Sequence, residues 1–344
     1  MIPMSYKELA AELPSVLKAG VVPYIRGSPA LGKSSLAQEI ANKFGLLLID
    51  VRLAECDPTE IGGFPYFDEV LGKAKYYPLT TFPTTEDKVP EGYKGWLLML
   101  DEFSSASIAT QGASYKLVLD RKVGQHTLHP NVFIIAAGNK EDDGAIVNPM
   151  STALISRFAM FQLELNFKDW MEWAVSNGID YRITSFLNFA SKHLYQFKAD
   201  ATEPYACPRT WEMLSKIINP KGIPKATSDI NVAVVASLIG EGVAREFMTF
   251  LALEAKLPKF DTIVAKPEET VLPTELGVQW AIMGMIAHNI SASTAGQVCK
   301  YLDRFADELK VVTIREIRMR HPKLLDESKD FKSWFTKTAM ATFS

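Results

Sequence analysis

The sequence predicts an α/β fold, a doubly wound parallel sheet followed by an all-helical part and a C-terminal helical extension. Three observations carry this expectation. The stretch Gly27-Ser28-Pro29-Ala30-Leu31-Gly32-Lys33-Ser34 has the spacing G-x-x-x-x-G-K-S between an apolar run and a helix-forming segment. Five strand-like runs lie between about residues 21 and 165, separated by helices or insertions. From residue 167 onward the apolar positions follow helical spacing.

Taken in order, Leu9, Leu13, Val16 and Leu17 give a helix over 5–19. Residues 21–25 form the first strand, and the segment from Ser35 to Ala41 the helix after the loop. Residues 46–51 form a second, buried-type strand. A Gly- and Pro-punctuated, irregular insertion runs from there to about residue 93. Trp96-Leu97-Leu98-Met99-Leu100 is a strand buried on both faces, with Asp101 and Glu102 at its carboxyl end. A helix over 108–119 precedes a hairpin at 120–128, and 132–137 is another buried strand ending in Gly138-Asn139. A short helix at 148–158 ends in Arg157, and the alternation at 161–165 closes the sheet.

Helices are expected at 168–177, 180–195, 209–218, 229–239, 241–255, 274–290, 293–309 and 329–341, with a linker at about 256–273. The expected division is 1–166, 167–257 and 258–344. Arg315, Arg318, Arg320 and Lys323 form a local basic cluster, expected on a solvated helix face.

Composition sets the bounds. The chain has 344 residues, enough for two domains, with 47% hydrophobic residues and a net charge of −3, so no global basic field points to nucleic acid. The three cysteines, Cys56, Cys207 and Cys299, lie far apart and form no CxxC, which points to a reducing compartment and no zinc site. No apolar run approaches the roughly 18 residues of a membrane span, and the N-terminus has no secretory pattern. The expectation is a cytoplasmic protein.

The residue types explain the spacing. Glycines let a tight loop turn its N–H groups inward as an anion nest, and the following helix adds the positive end of its dipole. Gly27, Ser28, Pro29, Ala30, Leu31, Gly32, Lys33, Ser34 and Ser35 are therefore the expected nucleotide-binding residues. Lys33 reaches the β- and γ-phosphates, and the Ser34 hydroxyl binds Mg²⁺. Asp101 holds the same Mg²⁺ through water, and Glu102 takes a proton from the attacking water. Asn139, at a neighbouring strand end, orients that water. ATP and Mg²⁺ are the cofactors this pattern implies.

In this order the motifs resemble the AAA+ ATPases, and within them the MoxR-like group. Gly138-Asn139 resembles sensor 1. Ala153-Leu154-Ile155-Ser156-Arg157-Phe158 is similar to the Leu-x-x-Arg-Phe segment, whose Arg is a finger on the neighbouring subunit's ATP; this implies Arg157. Ala206-Cys207-Pro208-Arg209-Thr210-Trp211-Glu212 resembles the lid segment carrying sensor 2, which implies Arg209. Asp57-Pro58-Thr59-Glu60-Ile61-Gly62-Gly63 matches the start of the family's insertion, and Asp120-Arg121-Lys122-Val123 its hairpin before sensor 1. The family's Asn-Arg-Ala after the acids is replaced by Phe103-Ser104-Ser105-Ala106, so no role for an Arg carries over there.

The resemblance implies a homo-oligomer, a hexameric ring, acting on a protein client of the von Willebrand A class in a chaperone-like way. The alternative in the same superfamily is a nucleic-acid motor or loader. Arg121 and Lys122 on the hairpin would favour it, while Asp68, Glu69, Glu86, Asp87 and Glu91 in the insertion oppose it. A non-hydrolysing nucleotide-gated scaffold is a third class; Asp101, Glu102 and Arg157 argue against it.

Overall fold

The computed structural model describes residues 1–344 except 145, 146 and 344, and only the backbone of 254, 255 and 339–343. The chain forms two compact units, one of Met1–Asn166 with Lys198–Asp200, the other of Phe167–Phe197 and Ala201–Ser344.

The first unit starts with strand β1 (Pro3–Met4) and helix α1 (Tyr6–Lys18). A reciprocal cap opens α1: Ser5 N–H donates to Glu8, and Glu8 N–H donates to Ser5 Oγ. Next come β2 (Val22–Arg26), α2 (Lys33–Phe44) and β3 (Leu47–Arg52). Helix α3 (Pro58–Gly62) leads into an antiparallel hairpin of β4 (Phe64–Asp68) and β5 (Lys73–Tyr77). Strand β6 (Trp96–Asp101) and helix α4 (Ile108–Tyr115) follow, with a π-helical turn at Lys116–Asp120. A second hairpin joins β7 (Lys122–Val123) to β8 (His126–Thr127). Strand β9 (Val132–Gly138), helix α5 (Thr152–Ile155) and strand β10 (Phe158–Leu163) complete the unit.

One parallel sheet of six strands has the order β1-β10-β2-β9-β6-β3. Alternate side chains divide between its two faces. Ile25, Leu97, Met99, Ile135 and Ala137 pack with Leu9 and Leu13 of α1 and Leu36 and Ile40 of α2. Tyr24, Leu98, Leu100, Ile134 and Ala136 pack on the other face with Phe103, Leu117 and Leu154. The strand order reverses at β2, so the carboxyl ends of β2, β9 and β6 lie side by side where the connections diverge. That is the place where open parallel sheets bind ligands.

The structure corrects several expectations. The five strands expected between about residues 21 and 165 are all in the sheet, and a sixth lies outside that range, where Pro3 and Met4 pair with Gln162 and Leu163 at its edge. Strand β3 is not buried on both faces: as the opposite edge it leaves only Val51 buried. The insertion is not irregular throughout, since it carries α3 and the β4–β5 hairpin. The last strand begins at Phe158 rather than 161, so Arg157 stands just before it instead of inside a helix.

The second unit is helical. Its helices are α6 (Phe167–Ser176), α7 (Tyr181–Phe189), α8 (Pro208–Ile218), α9 (Val232–Ile239), α10 (Glu241–Ala252) and α11 (Phe260–Ala265). They are followed by α12 (Leu276–Asn289), α13 (Ala295–Leu302), α14 (Asp307–Arg320), α15 (Leu324–Glu327) and α16 (Lys329–Phe343). Phe186, Trp211 and Phe247 pack edge-to-face or tilted, with ring centres 5.3–5.8 Å apart, in one part of its core. The stretch 256–273 is not a free linker: α11 lies in it, with Ile263 fully buried. The helix expected at 293–309 ends at Leu302, and α14 is a separate helix. Arg320 therefore leaves the expected solvated face. It is paired with buried Glu316 at 2.7 Å and also donates to Thr184 Oγ1.

Candidate active site

The loop between β2 and α2 is shaped by backbone conformation. Gly32 has φ 90° and caps α2, a conformation that side chains resist. Ala30 also adopts a left-handed φ of 62°, costing about 1 kcal/mol for a residue with a Cβ. The Gly27 N–H donates to the Gly138 carbonyl at 3.2 Å, which ties the loop's start to β9. Lys33 opens α2 and is only 9% exposed. Its ammonium donates to the Gly27 carbonyl at 2.6 Å, the Ser28 carbonyl at 3.0 Å and Asn139 Oδ1 at 3.0 Å. A cation so desolvated needs several acceptors, and these meet that need.

Two of the expected side chains meet Lys33 and its neighbour, Asn139 on Lys33 and Asp101 on Ser34. Ser34 Oγ donates to Asp101 Oδ2 at 2.8 Å. Asp101 Oδ1 accepts the Glu102 N–H at 2.8 Å, so both carboxylate oxygens are fixed. Glu102 itself is left-handed, with φ 54° and ψ 30°. A glutamate pays for that conformation, and such outliers gather at reactive sites. Asp50 on β3 is held above the usual carboxylate range by desolvation and then by Asp101. Two hard oxygen donors in contact fit a Mg²⁺ ion completed by phosphate and water. Among the described residues no group of three His, Cys, Asp or Glu forms a metal cluster.

Several residues that build the site were not found in the sequence. Ser28 Oγ donates to Asp143 Oδ1 at 2.8 Å, and Asp143 Oδ2 accepts the Lys140 N–H at 2.9 Å. Asp143 is buried and so clamps the phosphate loop to the turn that carries Asn139. Ser104 Oγ accepts the Asn139 N–H at 3.0 Å. Gly138 has no room for a side chain: a Cβ there would lie 2.0 Å from the Tyr24 hydroxyl and 2.7 Å from Ser104 Oγ. The Tyr6 ring covers Gly32, and its hydroxyl donates to Glu39 on α2 at 2.9 Å. Sequence spacing gives no signal for these contacts, because all but the Lys140 bond join positions far apart in the chain.

The two expected arginines are placed differently. Arg157 belongs to the first unit. Its guanidinium donates to the Ala153 carbonyl and lies 5.5 Å from the centre of the Tyr115 ring. Among the described residues it makes no ion pair. Arg209 belongs to the second unit, in the first turn of α8. The basic hairpin loses one member: Arg121 donates to the His129 and Val132 carbonyls, so its guanidinium serves the fold.

No family model and no curated protein matches the chain. Solved structures similar to it include a point mutant of Thermotoga maritima RuvB, at 18% identity over 76% of this chain and 75% of that one, TM-score 0.36. The Thermotoga maritima RuvB Holliday junction branch migration motor has 17% identity over 76% and 74%, TM-score 0.34. A candidate ATPase from Cytophaga hutchinsonii has 11% identity over 96% and 88%, TM-score 0.34. These values are too low to decide chemistry, which rests on the residues above. Among the described residues no helix is long and apolar enough to cross a membrane.

Proposed function

We propose that the chain is a Mg²⁺-dependent AAA+ ATPase of the MoxR-like type, working in the cytoplasm as a ring, a hexamer, that remodels a protein client. A client with a von Willebrand A domain is the class the sequence resemblance favours. The observation that carries the ATPase reading is the convergence of Lys33, Ser34, Asp101 and Asn139 within 3.0 Å contacts at adjoining strand ends. ATP supplies the transferable phosphoryl group. Residues 27–35 and Lys33 hold its phosphates, and Ser34 with Asp101 holds the metal. Glu102 accepts the water's proton, and Asn139 orients that water. In this reading 167–257 is a lid whose Arg209 senses the nucleotide, 258–344 is an extension, and Arg157 completes a neighbour's site.

Glu102→Gln tests it. The amide cannot take a proton, so ATP binding should persist while turnover falls by about 10²–10⁴. Normal hydrolysis by this variant would reject the site. The nucleic-acid reading is weakened by the engagement of Arg121 in backbone contacts and by the pairing of Lys75 with Asp68 at 2.6 Å. Turnover stimulated by DNA or RNA, and not by protein, would restore it.

A further inference from the structure

We propose that Tyr115 is the positioning residue that holds Arg157 in the pose from which it serves a neighbouring subunit; this rests on the finger reading of Arg157. Three contacts converge on the pair. The Arg157 guanidinium lies 5.5 Å from the Tyr115 ring centre. The Tyr115 hydroxyl is hydrogen-bonded to Ser151 Oγ. Ser151 in turn caps α5, accepting the Leu154 N–H at 3.2 Å. Tyr115 thus grips both ends of the short segment that delivers Arg157.

The arginine needs such a grip. Its Nε is buried without a hydrogen-bond partner, one terminal nitrogen donates to the Ala153 carbonyl, and among the described residues no carboxylate fixes the guanidinium. A free arginine side chain samples many rotamers, and a finger must be ordered before it meets transition-state charge. The ring supplies attraction without neutralising the cation, which a carboxylate would do. Contacts of this kind favour one pose by about 2- to 30-fold. Tyr115 also ends α4, the helix that follows the Asp101-Glu102 turn, so the same element follows one site and supports the arginine of another.

Mixed rings test the proposal. Lys33→Ala subunits can donate Arg157 but stay largely empty at ATP concentrations below their weakened Kd; Arg157→Ala subunits bind nucleotide but donate no arginine. Their mixture sets the reference turnover. Tyr115→Leu on the Lys33→Ala donor should lower that turnover about five-fold. The same change on the Arg157→Ala acceptor should leave it unchanged. Tyr115→Phe on the donor keeps the ring and should retain most of the turnover. If the Leu donor does not enter rings, Tyr115→Met replaces it with similar volume and no ring face. Equal losses in both placements, a loss only on the acceptor, or no loss on the donor would overturn the proposal. An inactive reference mixture, with mixed rings seen by native mass spectrometry, would instead reject Arg157 as a finger, and the role of Tyr115 with it.

Discussion

Lys33 and Gly138 illustrate how single positions control the site. Lys33 gives its ammonium to three oxygens now, and those contacts hold it where phosphate oxygens would be met. Lys33→Ala should weaken ATP binding by roughly ten- to a hundred-fold, the worth of a lost charge-assisted bond. Titration with a fluorescent ATP analogue reads this directly, and unchanged affinity would reject the loop assignment. Gly138→Ala pushes a Cβ into the Tyr24 hydroxyl and should cost about 1–3 kcal/mol by overpacking, read as a lower Tm. Cys299 is a neutral counterpart in the second unit. Burial, with Asp303 and Asp330 adding to it, pushes its thiol up to about 12. At pH 8 the native thiol should resist iodoacetamide, and denaturant should release it. Rapid native labelling would show that the site opens.

Between elements, the phosphate loop depends on contacts made far along the chain. Asp143 joins Ser28 to the turn after β9 through two hydrogen bonds, so the loop and Asn139 move as one body. Asp143→Ala should leave two buried partners loose and raise the KM for ATP roughly ten-fold. Asp143→Asn keeps one acceptor and should lie between. If KM does not move while Tm falls, the clamp is structural only. The β4–β5 hairpin is the opposite case, an element with much of its apolar surface outside any core. Phe67 is 66% exposed and Val70 94% exposed, while Tyr66 and Tyr77 stack at 3.8 Å. The hairpin is ordered by its own cross-strand pairs rather than by burial.

Over the whole molecule, two compact units carry separate stabilising networks. In the second, buried Glu316 pairs with part-buried Arg320, and both share Thr184. Glu316→Ala would strand the Arg320 guanidinium and should destabilise that unit by about 3–5 kcal/mol, seen as an early thermal transition. Assembly supplies the other prediction at this scale. Arg157 is free of ion pairs among the described residues, which suits donation across an interface. Specific turnover should rise more than linearly with protein concentration until rings form. Arg157→Ala should bind ATP normally and lose about 10³-fold or more in rate. Full turnover by that variant would remove the finger.

Elements whose signal is local could be read from the residues alone. The spacing from Gly27 to Ser34 demanded a strand, a loop and a helix, and all three are there. The run from Trp96 to Leu100 has no polar residue, so it had to be buried on both faces, and β6 is. The helical class of the second unit was legible from periodicity in the same way. Edge and centre were not legible, because the run at 46–51 is as apolar as a central strand, and only its sheet neighbours leave β3 half open. Nor could composition place Arg320 in a buried pair or turn Arg121 into a fold contact, since a charge's role depends on the acceptors that distant segments bring. Asp143, Ser104 and Tyr115 were silent for the same reason. Each acts through hydrogen bonds or ring contacts made 35 or more positions away. Local spacing therefore announced the elements that carry the candidate site, while the packing of distant segments selected the residues that brace them.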